Sequence, residues 1–436
     1  MTIDSGATAW VLVSAALVLL MTPAVAFFYG GMVRAKNVLA MLMQSLTVLA
    51  LVSVVWVLFG FSIAFGPGNS VLGGLNLLGL QNMSGPLPGF TGAATQVVPP
   101  VVFAAFQMMF AIITPALVTG ATADRWRFGA FVVFVPVWTL LVYVPVARWV
   151  FSPTGWLAKL GALDFAGGTV VHVNAGAAAL AMAIVLGRRR GWPRNPMVAH
   201  SLPLVVLGAS LLWFGWFGFN AGSALRADKL AGTALIDTHV AAAMGLLAWI
   251  GVERLRYGRP TTLGAASGAV AGLVAITPCA GYVTPLGALA VGGLAGAACA
   301  FAVGLKTWFK VDDSLDVVAV HLGGGAVGSL CVGLFATVTV NPAGADGLFY
   351  GGGYRLLGAQ TLAVIVVASY SFLVTLMLGF FLDRLLGHRV SEHDEVVGLD
   401  LSQHGETAYR QDLPSPSPRP ETADPAWASY GDGGVR

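Results

Sequence analysis

Two histidines stand where an ionisable side chain is costly. His172 lies in Asp164-Phe-Ala-Gly-Gly-Thr-Val-Val-His172-Val-Asn-Ala-Gly176, and His321 in Asp313-Ser-Leu-Asp-Val-Val-Ala-Val-His321-Leu-Gly-Gly-Gly325. In each stretch the histidine follows an aspartate by eight residues and is followed by a glycine four residues on. Both stretches belong to apolar runs of about twenty residues, the length of a bilayer-spanning helix. Ionisable groups in such runs are rare and mark ion or proton paths. Two neutral imidazoles can hydrogen-bond to each other, one ring donating and the other accepting, and can pass a proton on. The plainer reading, that each ring satisfies a neighbouring carbonyl or hydroxyl, loses weight when the two positions match in a repeat. His239, a third histidine in a span, has no such counterpart and is read in the plainer way.

Aromatic residues form the second constellation. Phe106 and Phe110 are four apart and share one helical face. Gly215-Trp216-Phe-Gly-Phe219-Asn-Ala-Gly-Ser223 adds more rings and a hydroxyl. Aromatic faces attract a cation that is losing its water. On spacing alone, ordinary packing explains these rings equally well.

The elements that must hold these residues follow from composition. At 57% hydrophobic, 10% charged and a mean hydropathy of +0.79, the chain is an integral membrane protein. Its continuous runs read as helices and not as the short alternating strands of a barrel. The net charge of +3 forms no nucleic-acid patch. Cys279, Cys299 and Cys331 lie in apolar runs without metal-ligand spacing, so neither a metal nor another cofactor is expected. A haem held by the two histidines is the weaker rival.

Apolar segments fall at 7–29, 38–65, 99–122, 128–150, 164–187, 199–222, 232–253, 262–280, 284–305, 315–338 and 357–386. The first lacks a preceding basic region and is read as a retained span, not a cleaved signal. Lys and Arg collect in alternate loops: fifteen lie at 34–36, 125–127, 188–194, 254–259, 306–310 and 384–389, against Arg148, Lys159, Arg226, Lys229 and Arg355 in the other set. That asymmetry puts the N-terminus outside and the C-terminus in the cytoplasm. Related stretches in the fifth and tenth of eleven spans imply two five-helix units plus one extra helix. Five is odd, so the units are inverted, and a site at their interface falls at the bilayer midplane. Eight helical residues carry either histidine roughly 12 Å inward, near the centre of a core about 30 Å thick, where the rings should meet. The expected architecture is all-α, with a transmembrane domain over 1–387 and a polar tail over 388–436. The tail's distal half, rich in proline from Pro414 to Pro425, reads as disordered.

Four stretches carry a resemblance. Phe27-Phe-Tyr-Gly-Gly-Met-Val-Arg34, Leu163-Asp-Phe-Ala-Gly-Gly-Thr-Val-Val-His172, Gly215-Trp-Phe-Gly-Phe-Asn-Ala-Gly-Ser223 and Val311-Asp-Asp313 with His321 resemble the ammonium transporter (Amt/Mep/Rh) family, and the chain looks Amt-like within it. The likeness extends to Gly398-Leu-Asp-Leu-Ser-Gln-His-Gly-Glu-Thr-Ala-Tyr409 in the tail. It implies an eleven-helix protomer, a homotrimer with one pore per subunit in the cell membrane, and no enzymatic activity. By motif match, Phe106 and Ser223 help form an outer ammonium recruitment site. Trp216 is grouped with them, and Asp164 supports them, a role compatible with a helix N-cap. Phe110 and Phe219 form a gate, and His172 and His321 line the pore that conducts ammonia. A PII-type signal protein is the implied partner on the cytoplasmic face. An ammonium sensor signalling through its tail, or a channel for a neutral gas, are the alternatives.

The chain departs from the family pattern in two places. Where many members carry a tryptophan before Gly-Gly-Gly-Trp-Leu, this chain reads Arg148-Trp149-Val-Phe151-Ser-Pro-Thr-Gly-Trp-Leu157, which aligns Phe151 at the recruitment position. Phenylalanine keeps a π-face but attracts a cation more weakly and has no indole N–H. Trp149 is the possible substitute. Asp237 stands in a span where the family often has an amide, and the sequence offers no account of it.

Overall fold

The computed structural model describes residues 3–90, 96–195 and 197–409, in which the regular structure is helical, with two isolated bridges in the loops between helices. Among them, ten helices are long and apolar enough to cross a membrane: α1 Ser5–Met32, α2 Ala35–Phe65, α3 Pro100–Thr122, α4 Phe128–Val150, α5 Gly168–Leu186, α6 Leu202–Ala224, α7 Lys229–Tyr257, α9 Pro285–Phe309, α10 Val318–Phe335 and α11 Arg355–Leu386. Between α7 and α9, the expected span 262–280 is helical as α8, Thr262–Ile276, and then turns through Cys279. Ten of the eleven expected spans therefore reach crossing length as helix. Several polar residues in this apolar chain serve as caps: the side chains of Asp4, Ser201, Asp228, Thr261 and Thr284 each accept a first-turn N–H.

Hydrogen bonds between loops sort the chain into two ends. At one, Arg148 Nε donates to the Asn69 carbonyl over 3.1 Å, Phe165 N–H to Pro278 over 3.2 Å, and Thr337 N–H to Tyr282 over 2.8 Å. At the other, Arg34 pairs with Asp124 at 3.1 Å, Arg189 pairs with Asp312 at 2.8 Å, and Arg125 donates to the Asp312 carbonyl over 2.6 Å. The second end gathers the loops that hold most of the Lys and Arg. Asp164 lies at the first end and Asp313 at the second, so α5 and α10 enter the bundle from opposite sides.

Those two helices repeat one another in detail. The Asp164 carboxylate accepts from the backbone N–H groups of Gly167, Gly168, Thr169 and Val170, and Asp313 accepts from Val317 and Val318. Each aspartate is followed by a π-helical turn, Gly168–Val173 or Val318–Gly323, that carries the histidine. The chain then tightens to α-helix, Asn174–Leu186 or Gly324–Phe335. Helical structure thus begins at Gly168, not at Asp164, and His172 sits about one turn in rather than eight helical residues deep. The repeated glycine explains how the helices meet. A Cβ on Gly176 would lie 2.3 Å from the Leu322 nitrogen, and one on Gly325 would lie 2.9 Å from the Gly168 oxygen. Any side chain at either position would force the two backbones apart.

The tail residues from His388 to Tyr409 dock against the Asp313 end. Val390 N–H donates to Arg125 O over 3.1 Å, Trp126 Nε1 to His388 Nδ1 over 3.0 Å, and Ala40 N–H to the Asp400 carboxylate over 2.8 Å. Glu395 pairs with Arg389 at 2.9 Å and accepts the Arg190 N–H. Beneath it lies a buried charge network in which Arg189 joins Asp312 to Asp124. Burial pushes the Asp312 carboxyl up, but the hydrogen bonds and charge of Arg189 outweigh this and hold it below the usual carboxylate range. The proline-rich part of the tail lies outside the described residues.

Candidate functional site

At the Asp164 end the helices open into a pocket of about 340 Å³ whose walls include Phe106, Gln107, Phe151, Asp164, Ser223 and Tyr282. Phe106 and Gln107 are brought there by α3, Phe151 by the end of α4, and Ser223 by the end of α6. The Ser223 hydroxyl donates to the Phe219 carbonyl over 2.8 Å, which leaves its oxygen free to accept. Gln107 also borders the pocket, and its Oε1 is buried with no hydrogen-bond partner among the described residues. Asp164 borders the pocket, but its oxygens are occupied by the start of α5 and by the Thr169 hydroxyl at 2.5 Å. It shapes the site by fixing that turn.

Two assignments from sequence are corrected by the geometry. Trp216 does not line this pocket. It lies deeper, stacked on His172 with centroids 5.5 Å apart, and its Nε1 donates to Thr277 Oγ1 over 2.9 Å. The reason is distance along the helix: seven residues, about 10 Å of rise, separate Trp216 from Ser223, with the π-helical turn Phe217–Ala221 between them. Nor is Trp149 a substitute for the missing indole. Its Nε1 is bound to Val71 O at 3.0 Å and its ring packs 4.7 Å from Tyr370, in a groove apart from the pocket.

Below the pocket the rings close ranks. Phe106 meets Phe110 edge-on at 4.9 Å, and Phe110 meets Phe219 at 4.5 Å with the planes tilted by 54°. Phe151 lies 6.1 Å from Phe110. Phe219 in turn stacks over His172 at 6.0 Å, and His172 over His321 at 5.3 Å. The two imidazoles meet through Nδ1 and Nδ1 at 3.2 Å, as the repeat anticipates. One Nδ1 must carry a proton and the other must accept it. The accepting ring is then protonated at Nε2 and the donating ring has a bare Nε2, so the pair offers one donor and one acceptor. His172 Nε2 has no partner among the described residues.

The lumen beside the rings is narrow and greasy. Two small cavities, each about 10 Å³, share His321, Phe28, Tyr29 and Val270. Each has room for about one water-sized molecule. The first is otherwise apolar apart from His172, while the second leads past Ser267 to Asp316 at the opposite end. Tyr29, whose hydroxyl donates to Leu117 O over 3.2 Å, belongs to both cavities and was not singled out by sequence. Gln107 was also missed, although an amide between Phe106 and Phe110 in an apolar span is a visible signal.

The remaining polar residues stand apart. His239 is exposed on the surface of α7 beside Trp213, 5.4 Å away. Asp237 is buried without a hydrogen-bond partner among the described residues, and nothing in the structure explains it. Cys279 Sγ donates to Gly328 O, and all three cysteines are buried and free.

Comparison with known proteins agrees along almost the whole described length. The sequence profile of the Ammonium Transporter Family matches residues 9–409. The chain is 52% identical over 431 residues to an ammonium transporter of Mycobacterium tuberculosis strain H37Rv, covering 93% of this chain and 90% of the relative. It is 49% identical to an ammonium transporter of Bacillus subtilis strain 168, over 94% and 99% of the two chains. Among solved structures it resembles Candida albicans Mep2, with a TM-score of 0.83 at 36% identity over 90% and 88% of the chains. It resembles a sensor Amt protein equally closely, with a TM-score of 0.83 at 31% identity over 92% and 98%.

Proposed function

The chain belongs to the ammonium transporter family, and on that premise we propose that it carries ammonium nitrogen across the cell membrane, recruiting the ion at the Asp164 end and conducting neutral ammonia past His172 and His321. The Asp164 end faces outside and the Asp313 end, with its basic loops and docked tail, faces the cytoplasm.

The problem such a pore must solve is selectivity, because ammonium and potassium are alike in size and charge. In the outer pocket Phe106 and Phe151 offer π-faces and Ser223 offers an acceptor oxygen, all of which favour a desolvating cation. Further travel as a cation is blocked by the contact of Phe110 with Phe219 and by the apolar lumen below. A charge at the bilayer centre costs at least about 2.5 kcal/mol, whereas ammonia loses only hydrogen bonds. Ammonium can shed its proton at this barrier, handing it to water of the outer pocket, so that the proton stays on the outer side; potassium has none to give. Ammonia then enters the small cavities, where one histidine nitrogen accepts from it and the other donates to it. Trp216 and Phe219, stacked on His172, hold that ring in place. The single observation that carries this reading is the Nδ1 contact of the two histidines in a lumen with room for one small molecule at a time.

The histidines keep their proton inventory constant as ammonia passes, since each hydrogen bond they give is replaced by the next. At the exit, ammonia regains a proton from water beyond Asp316. We take the docked tail, from Glu395 to Tyr409, to be regulatory, the subunit to assemble as a trimer, and its cytoplasmic face to be open to a PII-type protein. A sensor role is the second reading, favoured by the likeness to the sensor Amt structure. Uptake of labelled methylammonium in a yeast strain lacking its own ammonium transporters tests the main reading. Saturable uptake competed by ammonium is expected; protein that reaches the plasma membrane and moves nothing would favour the sensor.

A further inference from the structure

The wall of the outer pocket that carries Asp164 belongs to a non-helical segment between α4 and α5, so its backbone groups need partners from elsewhere. At Leu163, next to Asp164, both partners come from one side chain. Leu163 N–H donates to Gln360 Oε1 over 2.7 Å, and Gln360 Nε2 donates back to Leu163 O over 2.8 Å. The second Nε2 proton goes to Ser329 O, 3.0 Å away on α10. Gln360 lies on α11 and is 1% exposed. A carboxamide is the side chain that can pair with a peptide in both directions and still have a donor left. It therefore fastens the pocket wall to the helix that bears His321 and to α11 at once.

We propose that Gln360 is a positioning residue for the outer recruitment site: it sets where Leu163 and Asp164 stand relative to Phe106, Phe151 and Ser223, and so sets affinity for the incoming cation. This rests on the transport reading given above. Gln360 borders neither the outer pocket nor the two cavities beside the histidines. Its loss should leave the histidine pair and the conducting lumen intact. The predicted signature is a weakened KM with maximal rate retained.

Two substitutions separate positioning from support of the fold. Gln360→Leu removes all three bonds. Gln360→Glu keeps the size and the acceptor for Leu163 N–H, but turns a carboxylate oxygen toward two carbonyls in place of the donor. The control is Ser371→Ala, which removes another buried bond from α11 to α5, the 2.8 Å bond from Ser371 Oγ to Asn174 O, at a distance from the pocket.

Methylammonium uptake is measured against concentration for wild type and all three variants, normalised to protein in the membrane. Both Gln360 variants should raise KM about five- to tenfold, the equivalent of one or two lost hydrogen bonds, with maximal rate within about twofold. Ser371→Ala should leave KM unchanged. If the Gln360 variants lose maximal rate with KM unmoved, or match Ser371→Ala, the inference is overturned. Should Gln360→Leu fail to accumulate, Gln360→Glu carries the same comparison. Wild type that shows no uptake would overturn the transport reading itself, a different outcome from wild type that transports beside unaffected variants.

Discussion

Phe151 is the residue at which the proposed recruitment site departs from the commoner family pattern, and replacing it by tryptophan gives a quantitative test of how that site works. Its ring faces the outer pocket and stands 6.1 Å from Phe110. The tip of the ring, Cζ, also lies close to the Gly167 backbone, where a Cβ would come within 3.4 Å of it. The larger indole must therefore extend into the pocket, whose volume of about 340 Å³ can take it. A cation over an aromatic face gains about 0.5–1 kcal/mol at an exposed site and about 2 kcal/mol when desolvated, with tryptophan the strongest of the rings. Taking about 0.5–1 kcal/mol for the gain of tryptophan over phenylalanine, Phe151→Trp should lower KM for methylammonium about two- to fivefold. Phe151→Leu removes the π-face and should raise KM by a similar factor, with maximal rate little changed in both variants. The assay is initial uptake rate against concentration, at constant pH and equal protein in the membrane. If both substitutions leave KM where it was, the pocket does not recruit its cation through this ring, and the recruitment reasoning fails.

Two further perturbations probe the framework. Asp164→Ala strips the acceptor from four backbone N–H groups and the Thr169 hydroxyl. Thermal stability of the purified protein should fall in the order wild type, Asp164→Asn, Asp164→Ala, by about 1–2 kcal/mol at the extreme, with uptake falling in parallel. An Asp164→Ala protein as stable and active as wild type would show that the cap is dispensable. Arg189→Gln removes the closer ion partner of Asp312 and leaves it only Arg125, 4.0 Å away, a change that should cost up to about 3 kcal/mol, and Asp312→Asn in the same chain should restore part of the melting temperature. The pH dependence comes from the depressed carboxyl of Asp312. Its stabilising contribution is present above the unfolded value of about 3.9 and is lost as pH falls through the lower folded value. Wild type should therefore lose stability on acidification below about pH 4 more steeply than Asp312→Asn, and identical acid limbs would contradict the pairing.

Much of this was legible in the sequence because membrane insertion imposes simple signals. Span length, the alternation of basic loops and the matched Asp-to-His spacing stem from bilayer thickness and from a duplicated unit, and all three reappear in the helices, the two ends and the paired caps. The glycines at 176 and 325 were visible as a pattern, but their purpose needed the crossing of α5 and α10. What the sequence hid were shifts of register. The π-helical turns at Gly168–Val173, Phe217–Ala221 and Val318–Gly323 each insert extra residues into a turn, so spacing arguments based on 3.6 residues misplace the side chains beyond them. Trp216 was grouped with Ser223 although seven residues of helix, about 10 Å, separate them, and the depth of His172 was reached by a wrong count. Long-range polar contacts were equally invisible. Nothing at position 360 announces that it will bind Leu163, and only the family resemblance of Gly398 to Tyr409 implied that the tail packs against the bundle.

The central claim is that neutral ammonia, not a cation, passes the two histidines, and removal of both rings tests it most directly. Purified wild type and His172→Ala with His321→Ala are reconstituted in liposomes, and ammonium and potassium transport are measured under the same gradients. Wild type should move ammonium and exclude potassium, and the double variant should lose that discrimination as the emptied lumen admits water and hydrated ions. Ammonium selectivity over potassium that survives loss of both rings would contradict the account.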